Sequence, residues 1–204
     1  MVDFFFKAIN EVWPMVFIFT IILVSIRIFY LICNKQKLVL YKEITMLFFI
    51  IYLLLLYYIV TMQDNNYGTN NFTPFKEIFR YSITSILFFK NVVGNIFLFV
   101  PFGIFSSYYI KNKSFIPTFL LSVLISFSIE ITQSLIGRTL DIDDVILNTI
   151  GGLLGYFIYK ISDRIILKLP KFMKSRIFLD LLSLIFILVI IYLSFKFQFW
   201  RFII

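Results

Sequence analysis

Between residues 91 and 155, polar and charged side chains interrupt a sequence that is otherwise apolar enough for a membrane interior. The side chains best suited to chemistry there are Glu130, Gln133, Arg138, Asp141, Asp144 and Asn148. A charged side chain at the centre of a membrane helix costs about 2.5–3.5 kcal/mol on insertion scales. So many polar groups in one region therefore predict either a packed polar interior or a ligand site.

Polar or small residues recur on the fourth apolar segment at helical spacing, within a sector of about 80°. They are Ser122, Ser126, Glu130, Gln133 and Gly137. The serines alone are typical of contacts between membrane helices. A carboxylate is different, because Glu130 is also suited to binding a ligand or acting as a general acid or base.

The fifth apolar segment has a similar polar face, again within about 80°. Its members are Asp141, Asp144, Asn148, Gly151 and Gly155. Asp141 is predicted to begin this helix, where the helix dipole favours a carboxylate. The two glycines predict close packing against another helix of the same chain. Asp143 points away from this face, so we expect it to be solvated.

The third apolar segment contributes two amides, since Asn91 and Asn95 lie one turn apart on the face that also bears Phe102 and Ser106. Pro101 predicts a kink, because proline leaves the carbonyl of Phe97 without its helical partner. The predicted polar cluster, which is the candidate ligand site, thus comprises Asn91, Asn95, Glu130, Gln133, Arg138, Asp141, Asp144 and Asn148.

The elements that position these groups follow from composition. The chain has 204 residues, 61% of them hydrophobic, with a mean hydropathy of +0.96, whereas soluble domains are about 45–50% apolar. A membrane span needs about 20 apolar residues, and such runs occur at 14–33, 44–63, 91–110, 114–137, 145–159 and 181–195. We predict an all-α, polytopic membrane helix bundle with about six transmembrane helices, forming a single transmembrane domain over 1–204.

A further helix is predicted between the second and third spans, after a polar loop at 64–71. Thr73 and Pro74 resemble an N-cap followed by a first-turn proline. Apolar residues then recur at helical spacing as far as Ile86. This pattern predicts an amphipathic helix in the membrane interface, and a re-entrant segment is the alternative.

The net charge of +8 does not indicate nucleic-acid binding, because the positive charge follows the predicted topology. With the N-terminus outside, eleven of the nineteen basic residues fall on inner segments. This bias predicts a multi-pass protein of the cell membrane with both termini extracytoplasmic. The basic loop over 160–176 is expected to contact anionic membrane lipids.

Other chemistries leave no signal in the sequence. There is no histidine and only one cysteine, which removes the commonest metal ligand and an internal disulfide. No glycine-rich phosphate loop is present. We therefore expect no cofactor and no metal as the main interpretation, and the oligomeric state stays open.

The same residues resemble the VanZ-like family of small bacterial membrane proteins. The similarity rests on 71–75, 91–103, 130–133, 138–144 and 148–152 with Gly155, and it indicates a VanZ-like core over about 44–162. No single motif is specific, but their order and spacing are. The resemblance implies a role in the cell envelope and in glycopeptide resistance, chiefly toward teicoplanin, and implies no reaction.

Three interpretations follow. In the first, the polar cluster belongs to a non-enzymatic binding or protective protein at the outer face, whose partner is a lipid-linked envelope precursor or a lipoglycopeptide. In the second, the chain is an intramembrane enzyme on a lipid-linked envelope substrate, using Glu130 with Asp141 and Asp144, which could hold Mg²⁺ or Ca²⁺. In the third, Arg138 pairs with these acids and the cluster only stabilises the bundle.

Overall fold

The structure is a computed structural model that describes residues 2–61, 70–111 and 114–201. Eight α-helices are assigned in this part of the chain: α1 (Val2–Cys33), α2 (Leu40–Thr61), α3 (Lys76–Arg80), α4 (Ile86–Phe88), α5 (Gly94–Ile110), α6 (Ile116–Leu135), α7 (Ile142–Lys168) and α8 (Arg176–Arg201). A π-helical turn at Phe89–Val93 joins α4 to α5, and a 3₁₀ turn at Lys171–Lys174 precedes α8. The fold is all-α, as predicted.

Six helical segments in the described residues are long and apolar enough to cross a membrane. They are Pro14–Cys33, Leu40–Thr61, Ile86–Ile110, Ile116–Leu135, Ile142–Lys168 and Arg176–Leu193. This confirms the six predicted spans, although the fifth is longer than the apolar run at 145–159, because both of its ends carry polar residues. The predicted loop at 64–71 lies mostly outside the described residues.

The segment after that loop is less helical than its apolar pattern predicts. Helix α3 covers only five residues, and Phe75 precedes it with a left-handed φ of 68°. Thr73 is not the N-cap: its own backbone N–H donates to Asn71 Oδ1 at 3.2 Å instead. Tyr81 is extended, and helix resumes only at Ile86.

Span Ile86–Ile110 contains two departures from a regular α-helix, a π-helical turn and a proline. The π-helical turn covers the segment that bears Asn91, and such turns are rare and frequently found at functional sites. Pro101 lies inside α5. The Tyr52 hydroxyl of α2 donates to the Leu98 carbonyl at 2.7 Å. Leu98 directly follows Phe97, whose carbonyl was predicted to lack a helical donor, so a neighbouring helix bonds to the backbone beside this position.

The described chain divides into two compact units, one within 1–13 and 52–164 and the other within 14–51 and 165–204. In the second unit, Arg27 and Glu43 form a bidentate ion pair, with Nε–Oε2 at 2.7 Å and Nη2–Oε1 at 2.9 Å. Asp180 accepts from the backbone N–H of Tyr41 at 2.9 Å and from Arg176 at 3.3 Å. These contacts tie α1 to α2 and α2 to α8.

The first unit is organised by close packing of α5 against α7. A Cβ at Gly151 would overlap the backbone carbonyl of Ile96, and one at Gly155 would overlap that of Val100. Only glycine allows two helix backbones to approach in this way. The small-residue face predicted on the fifth span thus packs within the chain, and it brings the polar residues of α5, α6 and α7 into one region.

Candidate functional site

A cavity of about 900 Å³ lies in the first unit, where α2 and α6 end and α7 begins. All eight residues of the predicted polar cluster line it: Asn91, Asn95, Glu130, Gln133, Arg138, Asp141, Asp144 and Asn148. Cavities of about 300–1,000 Å³ are typical of small-molecule sites. Residues separated by as many as 57 positions in the sequence therefore share one concave surface.

The polar face of α6 is buried, as its helical spacing predicts. Ser122, Ser126, Glu130 and Gln133 are each at most 6% exposed, whereas Gly137 lies beyond the helix and is exposed. Glu130 is 1% exposed, and its Oε2 accepts from the backbone N–H of Asp141 at 2.8 Å. A buried carboxylate thus holds the first residue of the polar face of α7 against α6.

The end of α2 supplies an acceptor that the sequence did not single out. The last four carbonyls of a helix have no partner within it, and Val60 is one of these residues in α2. Its carbonyl accepts from Gln133 Nε2 at 2.8 Å and also from Arg138 Nη1. Arg138 is therefore anchored to the backbone at the cavity wall through its Nη1.

Asp141 caps α7, in keeping with its position just before the helix. Its Oδ1 accepts from the backbone N–H of Asp143 at 2.9 Å, the usual geometry of an N-cap. The same oxygen accepts from Asn71 Nδ2 at 2.9 Å. Burial raises the pKa of the Asp141 carboxyl above its ordinary value, although both hydrogen bonds lower that pKa.

Two side-chain amides connect the remaining polar residues of α7 to neighbouring helices. Asn95 Nδ2 on α5 donates to Asp144 Oδ1. Asn148 Nδ2 donates to Ser126 Oγ on α6 at 2.8 Å, and both residues are buried. Asn148 is therefore pressed against a neighbouring helix, where its amide finds the partner that a buried polar group requires.

The prediction that Asp143 is solvated was wrong. Asp143 is 1% exposed, and its carboxylate accepts from the backbone N–H groups of Phe75, Glu77 and Ile78, the last two at 2.7 and 3.3 Å. These are the unpaired donors at the start of α3. Asp143 thus caps α3 from another helix, which explains how Phe75 keeps its left-handed backbone without a local cap.

The segment before and within α3 forms part of the cavity wall. Asn71 pairs with the start of α7 through its backbone, since its N–H donates to the Leu140 carbonyl at 2.8 Å and its carbonyl accepts from the Ile142 N–H at 3.0 Å. Together with the cap by Asp143, these bonds fix 70–80 against α7. We call this segment the strap.

The strap and the π turn bring further charges to the cavity that the sequence did not single out. They are Lys76, Glu77, Arg80 and Lys90. Arg80 pairs with Glu77 at 3.0 Å, while Lys76 and Lys90 are exposed. The helical spacing of the apolar residues hid this role, because the segment was interpreted as an amphipathic helix in the membrane interface, with a re-entrant segment as the alternative.

The cavity therefore combines exposed ammonium groups with buried carboxylates and amides. Guanidinium and ammonium groups suit phosphate or carboxylate, and carboxylates and amides suit sugar hydroxyls. Among the described residues, no group of three or more metal-ligating side chains is arranged to hold a metal ion. The arrangement offers cations to an anionic group and carboxylates and amides to hydroxyl groups.

Comparison with known proteins gives the family. The VanZ/LLP1 family profile matches residues 47–166. Protein VanZ of Enterococcus faecium is 35% identical over 121 residues, which cover 58% of this chain and 69% of that protein. No solved structure matches the chain. With its six membrane-spanning helices and this match over more than half of its length, the chain is an integral membrane protein that belongs to the VanZ/LLP1 family.

Proposed function

We propose that this protein is a non-enzymatic binding or protective protein that acts at the outer face of the cytoplasmic membrane on an amphipathic cell-envelope molecule. The observation that carries the proposal is the single cavity lined by the whole predicted polar cluster. In a cluster that only stabilised the helices, we would expect the polar side chains to bond to one another and to leave no cavity. The reason is that an unpaired polar group inside a membrane is costly.

The cations of the cavity offer partners to an anionic head group. Lys76 and Lys90 are exposed at the cavity, and Arg138 is held on its wall by the Val60 carbonyl. The amides of Asn91 in the π-helical turn and of Asn95 on α5 offer hydrogen-bonding groups to hydroxyls. A lipid-linked sugar phosphate of the envelope has these features, and so does the acylated sugar portion of a lipoglycopeptide.

Similarity to Protein VanZ directs the proposal toward the cell envelope and teicoplanin resistance. The acidic and amide residues of the cavity lie near the ends of membrane spans, where a ligand from the outer leaflet could enter. The charge bias of the loops supports placing this end outside. The extracytoplasmic location of both termini is part of the same proposal.

The test is the susceptibility of a Gram-positive host to teicoplanin and vancomycin, with and without the chain. Arg138→Ala, Glu130→Gln and Asp144→Asn should each lose protection while still accumulating in the membrane. Asp163→Asn is the matched control for Asp144→Asn, because it removes a carboxylate from the same helix α7 at a position that does not line the cavity.

Three results would contradict the proposal in different ways. No protection from the native chain would separate this protein from glycopeptides. Protection that survives all three cavity variants would remove the cavity from the function. Loss of protection together with loss of membrane protein would favour the interpretation that the cluster only stabilises the bundle.

A second function is favoured by one observation: Glu130, Asp141 and Asp144 line the same cavity, so carboxylates in different surroundings could act as acid and base. In this alternative the protein is an intramembrane enzyme on a lipid-linked envelope substrate. Purified protein, incubated with a lipid-linked sugar phosphate with and without Mg²⁺, should then release product, and Glu130→Gln should abolish the release. No turnover in either condition would exclude this alternative.

A further inference from the structure

A second, smaller cavity of about 210 Å³ lies between α2 and α6, and we call it the groove. It is lined by Tyr57, Val60, Thr61, Ile125, Ile129 and Thr132, with Ser128. Val60 and Ile129 also line the polar cavity. The groove and the polar cavity therefore adjoin at a shared wall.

The groove is more apolar than its residue types indicate. Three of its four hydroxyl groups donate to the backbone carbonyl four residues earlier, Thr61 at 2.7 Å, Ser128 at 2.8 Å and Thr132 at 2.8 Å, and the fourth belongs to Tyr57. A hydroxyl engaged in this way has no donor left for a ligand. What the groove offers to an occupant is thus mainly methyl, methylene and ring surface.

The groove opens on a surface that contacts hydrocarbon once the helices cross a membrane. Tyr57 at its edge is 60% exposed, and Leu124 beside it on α6 is also 60% exposed. An apolar recess has no polar partners to hold ordered water. In a bilayer, its natural occupant is a hydrocarbon chain.

We infer that the groove holds the hydrocarbon chain of a membrane lipid whose phosphate-bearing head group occupies the polar cavity. The inference rests on the proposed function. It adds where the hydrocarbon part of the ligand binds and which kind of surface it contacts. The shared wall at Val60 and Ile129 makes one continuous surface, apolar on the α2–α6 side and charged on the other. A single-chain anionic amphiphile matches that order of surfaces.

The test uses a lysophosphatidylglycerol with a diazirine in its acyl chain, added to the full chain in phosphatidylcholine nanodiscs. Cross-linked residues are mapped by mass spectrometry of proteolytic peptides. We expect labels on Tyr57, Ile125 and Ile129 in excess of those on Leu124. Because this map is measured on the native chain, it does not depend on whether a variant folds.

Two matched variants then test the groove by filling it. Ile125→Trp places a large ring in the groove at a position that does not itself line the polar cavity, and Leu124→Trp makes the same change on the adjoining lipid-facing position. We expect groove labelling to fall about tenfold in Ile125→Trp, the effect of about 1.4 kcal/mol of lost binding, and to be unchanged in Leu124→Trp. Arg138→Ala should also lower it, because the head group loses a cation.

The possible failures are distinguishable. Labels that fall outside the groove but still depend on Arg138 would overturn the inference and leave the proposed function standing. Groove labels that ignore Arg138→Ala would mean that a chain enters without its head group in the cavity, which also overturns it. Labels spread evenly over lipid-facing residues, independent of every variant, would remove both the inference and binding of phosphate lipids as the function.

Discussion

The two units of the chain differ in the partners that they provide for charged side chains within membrane-spanning helices. In the second unit, Arg27 and Glu43 satisfy each other with two hydrogen bonds. In the first unit, Glu130 and Asp144 are held by a backbone N–H and an amide, and both face a cavity. A bidentate ion pair leaves its partners little capacity for a ligand, whereas a carboxyl group that accepts a single bond from a neutral donor keeps further hydrogen-bonding capacity.

A charged residue in an apolar sequence is therefore not by itself a sign of a site. Arg27 and Glu130 both interrupt apolar spans, and the sequence does not distinguish their roles. What separates them is the partner. An opposite charge indicates a contact that joins helices, and a neutral donor beside open space indicates a candidate site.

The largest expected effect tests whether one carboxylate of the first unit is purely structural. Asp143→Asn weakens or removes three bonds to backbone N–H groups, and a hydrogen bond to a charged group contributes about 1.5–3 kcal/mol. We expect a loss of about 3 kcal/mol in the free energy of unfolding, measured by denaturation in mild detergent. Proteolysis should also become faster within the strap, because its cap is lost.

The control for Asp143→Asn is Asp163→Asn, which removes a less buried carboxylate from the same helix α7. Equal stability of the two variants would contradict the capping role of Asp143.

A smaller effect is expected in the second unit. Arg27 and Glu43 are partly exposed, with side chains 38% and 20% accessible, and exposed ion pairs contribute about 0.2–1 kcal/mol. A double-mutant cycle with Arg27→Ala and Glu43→Ala should give a coupling free energy of about 1 kcal/mol, at the upper end because the pair is bidentate. A coupling near zero would mean that the two residues do not act as a closed pair.

The smallest effect is a pH dependence in the first unit. Because burial raises the pKa of Asp141 in the folded protein, the folded state binds more protons than the unfolded state between the ordinary carboxyl pKa of about 3.9 and the higher folded value. Stability should therefore fall as pH rises through that window. Melting temperatures measured against pH should show this slope in the native chain and a weaker slope in Asp141→Asn.

An equal slope in Asp141→Asn would contradict this assignment and would indicate that another group titrates. Glu43→Gln, which changes a carboxylate of the second unit, should leave the slope of the native chain unchanged. The pH dependence would then belong to the carboxylates that face the cavity.

Much of the candidate site was predictable because its residues follow local periodicity. Ser126, Glu130 and Gln133 lie on one face of α6 by their spacing alone, and the same holds for Asp144 and Asn148 on α7. Each helix has to bury its polar face, so the two faces meet. The eight predicted residues therefore line one cavity.

The parts that were not predictable depend on contacts between distant residues. Asp143 accepts from groups 65–68 positions away, and the Val60 carbonyl binds side chains 73 and 78 positions away. Periodicity describes which way a side chain points on its own helix and contains no information on what that direction meets. Asp143 was therefore assigned to solvent because no partner was visible near it.

The all-α class, the six spans, the polar faces and the family resemblance all follow from the amino-acid sequence alone. The physical basis of these predictions is the free-energy cost of placing polar groups in hydrocarbon. This cost applies to each segment separately, so it can be judged without knowing the neighbouring helices. The tertiary structure alone decided that the strap folds over α7, that Lys76 and Lys90 reach the cavity, and that an apolar groove adjoins it. Those features arise where separate helices approach, and close approach is set by the packing of glycine faces and by long-range hydrogen bonds.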